Sequence, residues 1–104
     1  MRKVGVTLLT AACIGCGLAL QANAQDANLG RNLAATCTYC HGTDGRSVGG
    51  TAALAGMPKE QLVQTMNAFK SGARPATVMH QLAKGYTDQQ LELMGEYFSK
   101  QKSQ

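Results

Sequence analysis

Beyond Ala24, apolar side chains recur at helical spacing. Leu29, Leu33 and Cys37 fall every four residues, on one face of a helix predicted from about Asn28 to Cys40. Leu62, Val63, Met66 and Phe69 form a second stripe, predicted as a helix from about Pro58 to Ser71. Pro58 suits the first helical position, and Gly72 is a natural stop. A short third helix is expected from about Ala76 to Ala83, ended by Gly85. The fourth opens with Thr87-Asp88-Gln89-Gln90, the pattern of a capping box. Leu91, Met94 and Phe98 line one of its sides, with Tyr97 beside them, and Lys100 and Lys102 follow near the negative end of its dipole. Sheet signals are weak: no Ile follows Ala24, and Val occurs there only at 48, 63 and 78. The pattern predicts an all-α domain of about four helices.

Two stretches break the pattern. Gly30 lies inside the first helix, where it costs about 1 kcal/mol against Ala, so a close neighbour is expected there. Gly42 to Gly56 carries glycines at 42, 45, 49, 50 and 56. It reads as a loop, long for so small a domain, and it needs something to pack against.

The first two dozen residues have a different composition. Arg2 and Lys3 precede an uncharged apolar run from Val4 to Leu20, and Ala22-Asn23-Ala24 fits a small-x-small cleavage site. The expectation is a leader over 1–24, removed in the periplasm, and one domain over 25–104 with no membrane span. An uncleaved anchor is the alternative, since the run is only marginally long enough to span a bilayer. A lipoprotein is weaker, because neither Cys13 nor Cys16 has Leu three positions before it. Cleavage would discard both of those cysteines.

What remains is about 80 residues, enough for one small domain. Two-domain enzymes and large α/β folds are excluded by length. The chain carries +4 in all, and without Arg2 and Lys3 the balance is 8 basic to 6 acidic side chains. That is too weak for nucleic acid, which needs a basic patch or stripe. A domain this small buries only about 60% of its unfolded surface and usually needs further help to be stable.

Cys37-Thr38-Tyr39-Cys40-His41 supplies a candidate for that help. Two thiols three residues apart on a helix end lie on one side. Each can add to one vinyl group of a haem, and the His that follows brings its imidazole under the iron. C-x-x-C-H is the attachment pattern for haem c, and export agrees with it. A redox dithiol of the thioredoxin kind would need a βαβ context. Tetrahedral zinc needs four ligands, and His80 is the only other histidine. A plain disulfide is the remaining alternative. Tyr39, between the thiols, reads as surface.

The sixth ligand must come from Met57, Met66, Met79, His80 or Met94. Met66 and Met94 lie on apolar stripes and read as core. Met57 is only 16 residues past His41, a strained reach across the haem edge. Met79 follows a whole helix and a segment stiffened by Pro75, and it is the favoured ligand. His80 is its rival. A thioether would raise the potential, whereas a second imidazole would lower it. Leu54, Val63, Phe69, Val78, Leu82, Tyr97 and Phe98 are the expected pocket lining. With both axial positions filled by protein, the site would move electrons and make no bonds.

In this order of parts the chain resembles a class I cytochrome c, from Gln25 to Gln104. Two strings resemble the cytochrome subunit of flavocytochrome c sulfide dehydrogenase and its single-haem relatives. One runs from Phe69 to Met79 and the other is Ala83-Lys84-Gly85-Tyr86-Thr87-Asp88. The resemblance implies one covalent haem c on Cys37 and Cys40, with His41 and Met79 as axial ligands. It also implies an electron carrier, not itself an enzyme, serving redox partners such as a sulfide-oxidising flavoprotein subunit. A freely diffusing shuttle is the alternative role, and an open-site or bis-His sensor a further one. The family usually has a Gly-Pro step whose Pro carbonyl accepts the proximal His N–H. Here Val48-Gly49-Gly50 stands in the corresponding place, where Gly50 keeps a carbonyl but loses the stiffening ring, so a more mobile loop is expected to supply the acceptor. Lys59, Lys70, Arg74 and Lys84 are candidates for steering an acidic partner, although a solvated surface is the preferred reading for Lys59. Arg74 or Tyr86 is a candidate donor to a haem propionate.

Overall fold

A computed structural model describes residues 28–103. The leader, its cleavage site, Cys13 and Cys16 lie outside the described residues. Among those described there are helices and turns and no strand.

The chain is helical from 28 to 41, in three parts. Helix α1 covers 28–34, a 3-10 turn follows over Ala35–Cys37, and α2 is Thr38–His41. Thr36 and Thr38 explain the tightening. Their hydroxyls donate to the carbonyls of Leu33 and Ala35 three residues back, at 3.2 and 2.7 Å, and such back-bonding distorts a regular helix. Gly30 is buried, and a Cβ there would lie 2.7 Å from the carbonyl oxygen of Leu93. The close neighbour expected from the sequence is therefore the backbone of the last helix.

Helix α3 is Lys59–Ser71. Pro58 is its N-cap rather than its first helical residue, with ψ 138°, and Gly72 ends it in the left-handed region. Helix α4 is shorter than expected, Met79–Ala83. The preceding residues stay irregular: Pro75 is fixed by its ring, Thr77 and Val78 are β-branched, and Val78 sits at φ −135°. Helix α5 is Asp88–Ser99, and its capping box is formed. Thr87 N donates to Gln90 Oε1 at 2.9 Å, and Gln90 N donates to Thr87 Oγ1 at 3.2 Å.

The core is one cluster of Ala34, Leu62, Met66, Ala83, Leu91, Met94 and Phe98. Met66 and Met94 are thus core, as their spacing predicted. Leu33, Cys37, Leu54, Met57, Val63, Phe69, Met79, Tyr86 and Tyr97 pack around it, partly buried. The motif end of α1–α2 and the Met79 segment therefore share one apolar floor.

Candidate haem site

His41 is the last residue of α2, half-buried, and Gly42 turns the chain out of the helix at φ 80°. A Cβ at Gly42 would collide with the Arg46 carbonyl. The loop then folds back on itself. A 3-10 turn over Thr43–Gly45 leads into it. The Gly45 carbonyl accepts from Leu54 N at 2.8 Å and Ala55 N at 3.2 Å, and Gly56 N donates to the Phe98 carbonyl at 2.9 Å. The partner that this glycine-rich segment required is the end of α5.

This fold-back brings the Ala52 carbonyl 2.6 Å from His41 Nδ1. A carbonyl can only accept, so Nδ1 carries the proton and Nε2 keeps its lone pair. The accepting carbonyl is therefore that of Ala52, not Gly50. The loop's register is set by the Gly45 contacts rather than by a Pro.

Cys37 is half-buried, Cys40 is exposed, and both thiols are free. Burial pushes the Cys37 thiol up, and a hydrogen bond with Thr36 offsets this only in part. Among the described residues, no group of three His, Cys, Asp or Glu side chains could hold a metal ion on its own. Tyr39 is 92% exposed, as expected for surface.

On the other side, Met79 begins α4, half-buried against the core. Val78 and Leu82 flank it and are about half exposed, at 50% and 49%. His80 is half-buried, and its Nδ1 is buried with no hydrogen-bond partner. Of the expected lining, Leu54, Val63, Phe69 and Tyr97 are partly buried against the core. Phe98 is the exception: it is completely buried, so it belongs to the core and not to an open wall. Free paired thiols, an imidazole with Nε2 available and half-exposed apolar side chains beside Met79 fit a covalently attached haem.

Several polar contacts were not foreseen. Tyr86 Oη lies 2.8 Å from Thr36 Oγ1, so its hydroxyl already has a partner beside Cys37. Arg74 stacks over the Phe69 ring at 5.2 Å. Lys59 pairs with Glu92 at 3.3 Å, in keeping with a surface role, and Lys70 pairs with Asp88 at 3.5 Å. Tyr97 Oη donates to Asp44 at 2.7 Å. A partly buried tyrosine hydroxyl signals that it needs a partner, but not which one.

The cytochrome c family profile matches residues 27–102. The cytochrome subunit of sulfide dehydrogenase from Chlorobaculum tepidum is 41% identical over 69 residues, covering 66% of this chain and 63% of that protein. Cytochrome c4 from Pseudomonas aeruginosa is 37% identical over 103 residues, covering 98% of this chain and 50% of that one. The thiosulfate dehydrogenase electron acceptor of Thiomonas intermedia is 37% identical over 71 residues, covering 66% and 33%. The chain thus spans less than two thirds of the length of these relatives.

Proposed function

Because this chain belongs to the cytochrome c family of electron carriers, whose members carry covalently attached haem c, we propose that it moves single electrons through one haem held as follows. Cys37 and Cys40 form the two thioethers, His41 Nε2 is the proximal ligand and Met79 Sδ is the distal ligand. The bond between His41 Nδ1 and the Ala52 carbonyl carries this reading, because it fixes the ring and aims Nε2 outward. Bound haem supplies a one-electron iron couple. The protein's own groups orient His41 and rest Met79 against the core, and these two side chains would be the ones to hold the iron.

The finer role follows the relatives. The chain works in the periplasm after loss of residues 1–24, and accepts electrons from a dehydrogenase oxidising sulfide or a related sulfur compound. A flavoprotein subunit is the proposed donor. The support is the likeness to proteins bearing those names, and none of the described helices is long and apolar enough to cross a membrane.

The ligand test uses the far-red thioether–iron absorption of the oxidised protein. It should vanish in Met79→Ala and persist in His80→Ala, and the reverse would assign the iron to His80. The partner test mixes oxidised protein with a sulfide-oxidising flavoprotein and sulfide. Haem reduction no faster than with sulfide alone would reject the donor.

A further inference from the structure

We infer that Tyr97 and Asp44 are positioning residues for His41, fixing from α5 the loop whose Ala52 carbonyl orients the imidazole. The inference rests on His41 being the proximal ligand. Asp44 stands three residues after His41 with φ 53°, the left-handed region, which Asp adopts more readily than most residues and which its contacts hold here. Its Oδ1 accepts from Tyr97 Oη at 2.7 Å, and its Oδ2 lies 3.5 Å from Arg46 Nη1. Arg46 Nε in turn donates to the Lys102 carbonyl at 3.1 Å. The turn after His41 is thereby tied to α5 and to the segment that follows it.

The same turn sets the rest of the loop. Gly45 accepts from Leu54 N and Ala55 N, and Gly56 N reaches the Phe98 carbonyl. Both ends of 46–55 are therefore pinned to α5 or to the turn that α5 holds. Ala52 lies between them, exposed, with no burial of its own to fix it. Its carbonyl stays 2.6 Å from His41 because the ends are held. Freeing Asp44 lets this span move, and the bond to Nδ1 weakens. A less strongly hydrogen-bonded imidazole is a poorer electron donor, so the balance shifts toward ferrous iron.

The test is Tyr97→Phe in the full haem-bearing protein, which removes one oxygen and keeps the ring. Exchange of the His41 Nδ1 proton, followed by proton magnetic resonance, should quicken by about tenfold as the loop opens locally. The one-electron equilibrium should favour the reduced form by about threefold, where a decade corresponds to 59 mV. Asp44→Ala, which also loses the Arg46 contact, should shift both readings at least as far, and adding Tyr97→Phe to it should change nothing further. Asp44→Asn keeps an acceptor for the hydroxyl and should shift both readings less than Asp44→Ala. Ser99→Ala removes an α5 hydroxyl bonded within its own helix, to the Glu96 carbonyl at 2.9 Å, and should change neither reading. Unchanged exchange in Tyr97→Phe, or effects of Tyr97 and Asp44 that simply add, would overturn the inference. His41 ring signals lacking any iron-induced shift in the unsubstituted protein would overturn the ligand assignment beneath it.

Discussion

His41 and Met79 are held by opposite means. The His41 side is a glycine-rich loop with little apolar content, and hydrogen bonds fix it. His41 bonds to Ala52, Gly45 to Leu54 and Ala55, Gly56 to Phe98, and Tyr97 to Asp44. The Met79 side has local backbone bonds, such as those from Gln81 N and Leu82 N to the Val78 carbonyl, and among the described residues no long-range bond like these. Helix α4 starts without a side-chain cap, its five residues rest on α3 and the core, and His80 Nδ1 is left unpaired. Hydrogen bonds are directional and fix orientation, whereas packing fixes position and tolerates rotation. An imidazole must be aimed, because its lone pair lies in the ring plane. A thioether on a flexible side chain needs only to be near.

The contrast is broken most severely at its two centres. His41→Ala should abolish the six-coordinate spectrum and the stable haem-bearing fold. Met79→Ala should keep haem and fold, lose the far-red band and cost at least about 2 kcal/mol in denaturant unfolding. Equal damage from both would mean that the two sides are not built differently.

Phe98→Ala probes what they share. Its ring is completely buried and its carbonyl holds Gly56. A loss of about 3–5 kcal/mol is expected, as one cooperative transition. Two separate transitions, followed by His41 and Met79 signals, would show that the sides unfold independently.

A smaller effect separates α5 from the loop it holds. Thr87→Ala removes one half of the capping box and should cost about 1 kcal/mol. The far-red band should survive, since neither side contacts that cap. The smallest effect is a pH dependence. The hydrogen bond to Asp44, and burial after it, raise the Tyr97 hydroxyl above its ordinary value. Its contribution is therefore complete below about pH 10 and is lost as pH climbs through the raised value. The Tyr97 hydroxyl is only partly buried, so the loss is small. Stability curves of Tyr97→Phe and the unsubstituted protein should converge above pH 10, and parallel curves would remove Asp44 as its partner.

Much of this could be read in advance. Helical spacing located all four helical regions, and the Thr87–Gln90 box gave the start of α5 to the residue. Gly30 announced a close crossing, although not that Leu93 made it. The cysteine pair pointed to covalent haem c, which is the cofactor of the family to which the chain belongs. The misses share a cause. The start of α4 depends on the backbone that Val78 adopts, φ −135°, and the acceptor for His41 is a backbone carbonyl, which has no residue-type signature. The pairs Tyr97–Asp44 and Thr36–Tyr86 join side chains 53 and 50 residues apart.

Sequence alone determined the helical class, the capping box of α5, the Gly72 stop and the attachment motif, because each is written in residues within one or two turns of each other. Tertiary structure decided that Ala52 faces His41, that Asp44 adopts a left-handed turn under Tyr97, and that Phe98 is core rather than wall. Those outcomes depend on where distant segments meet, and local spacing does not encode the meeting.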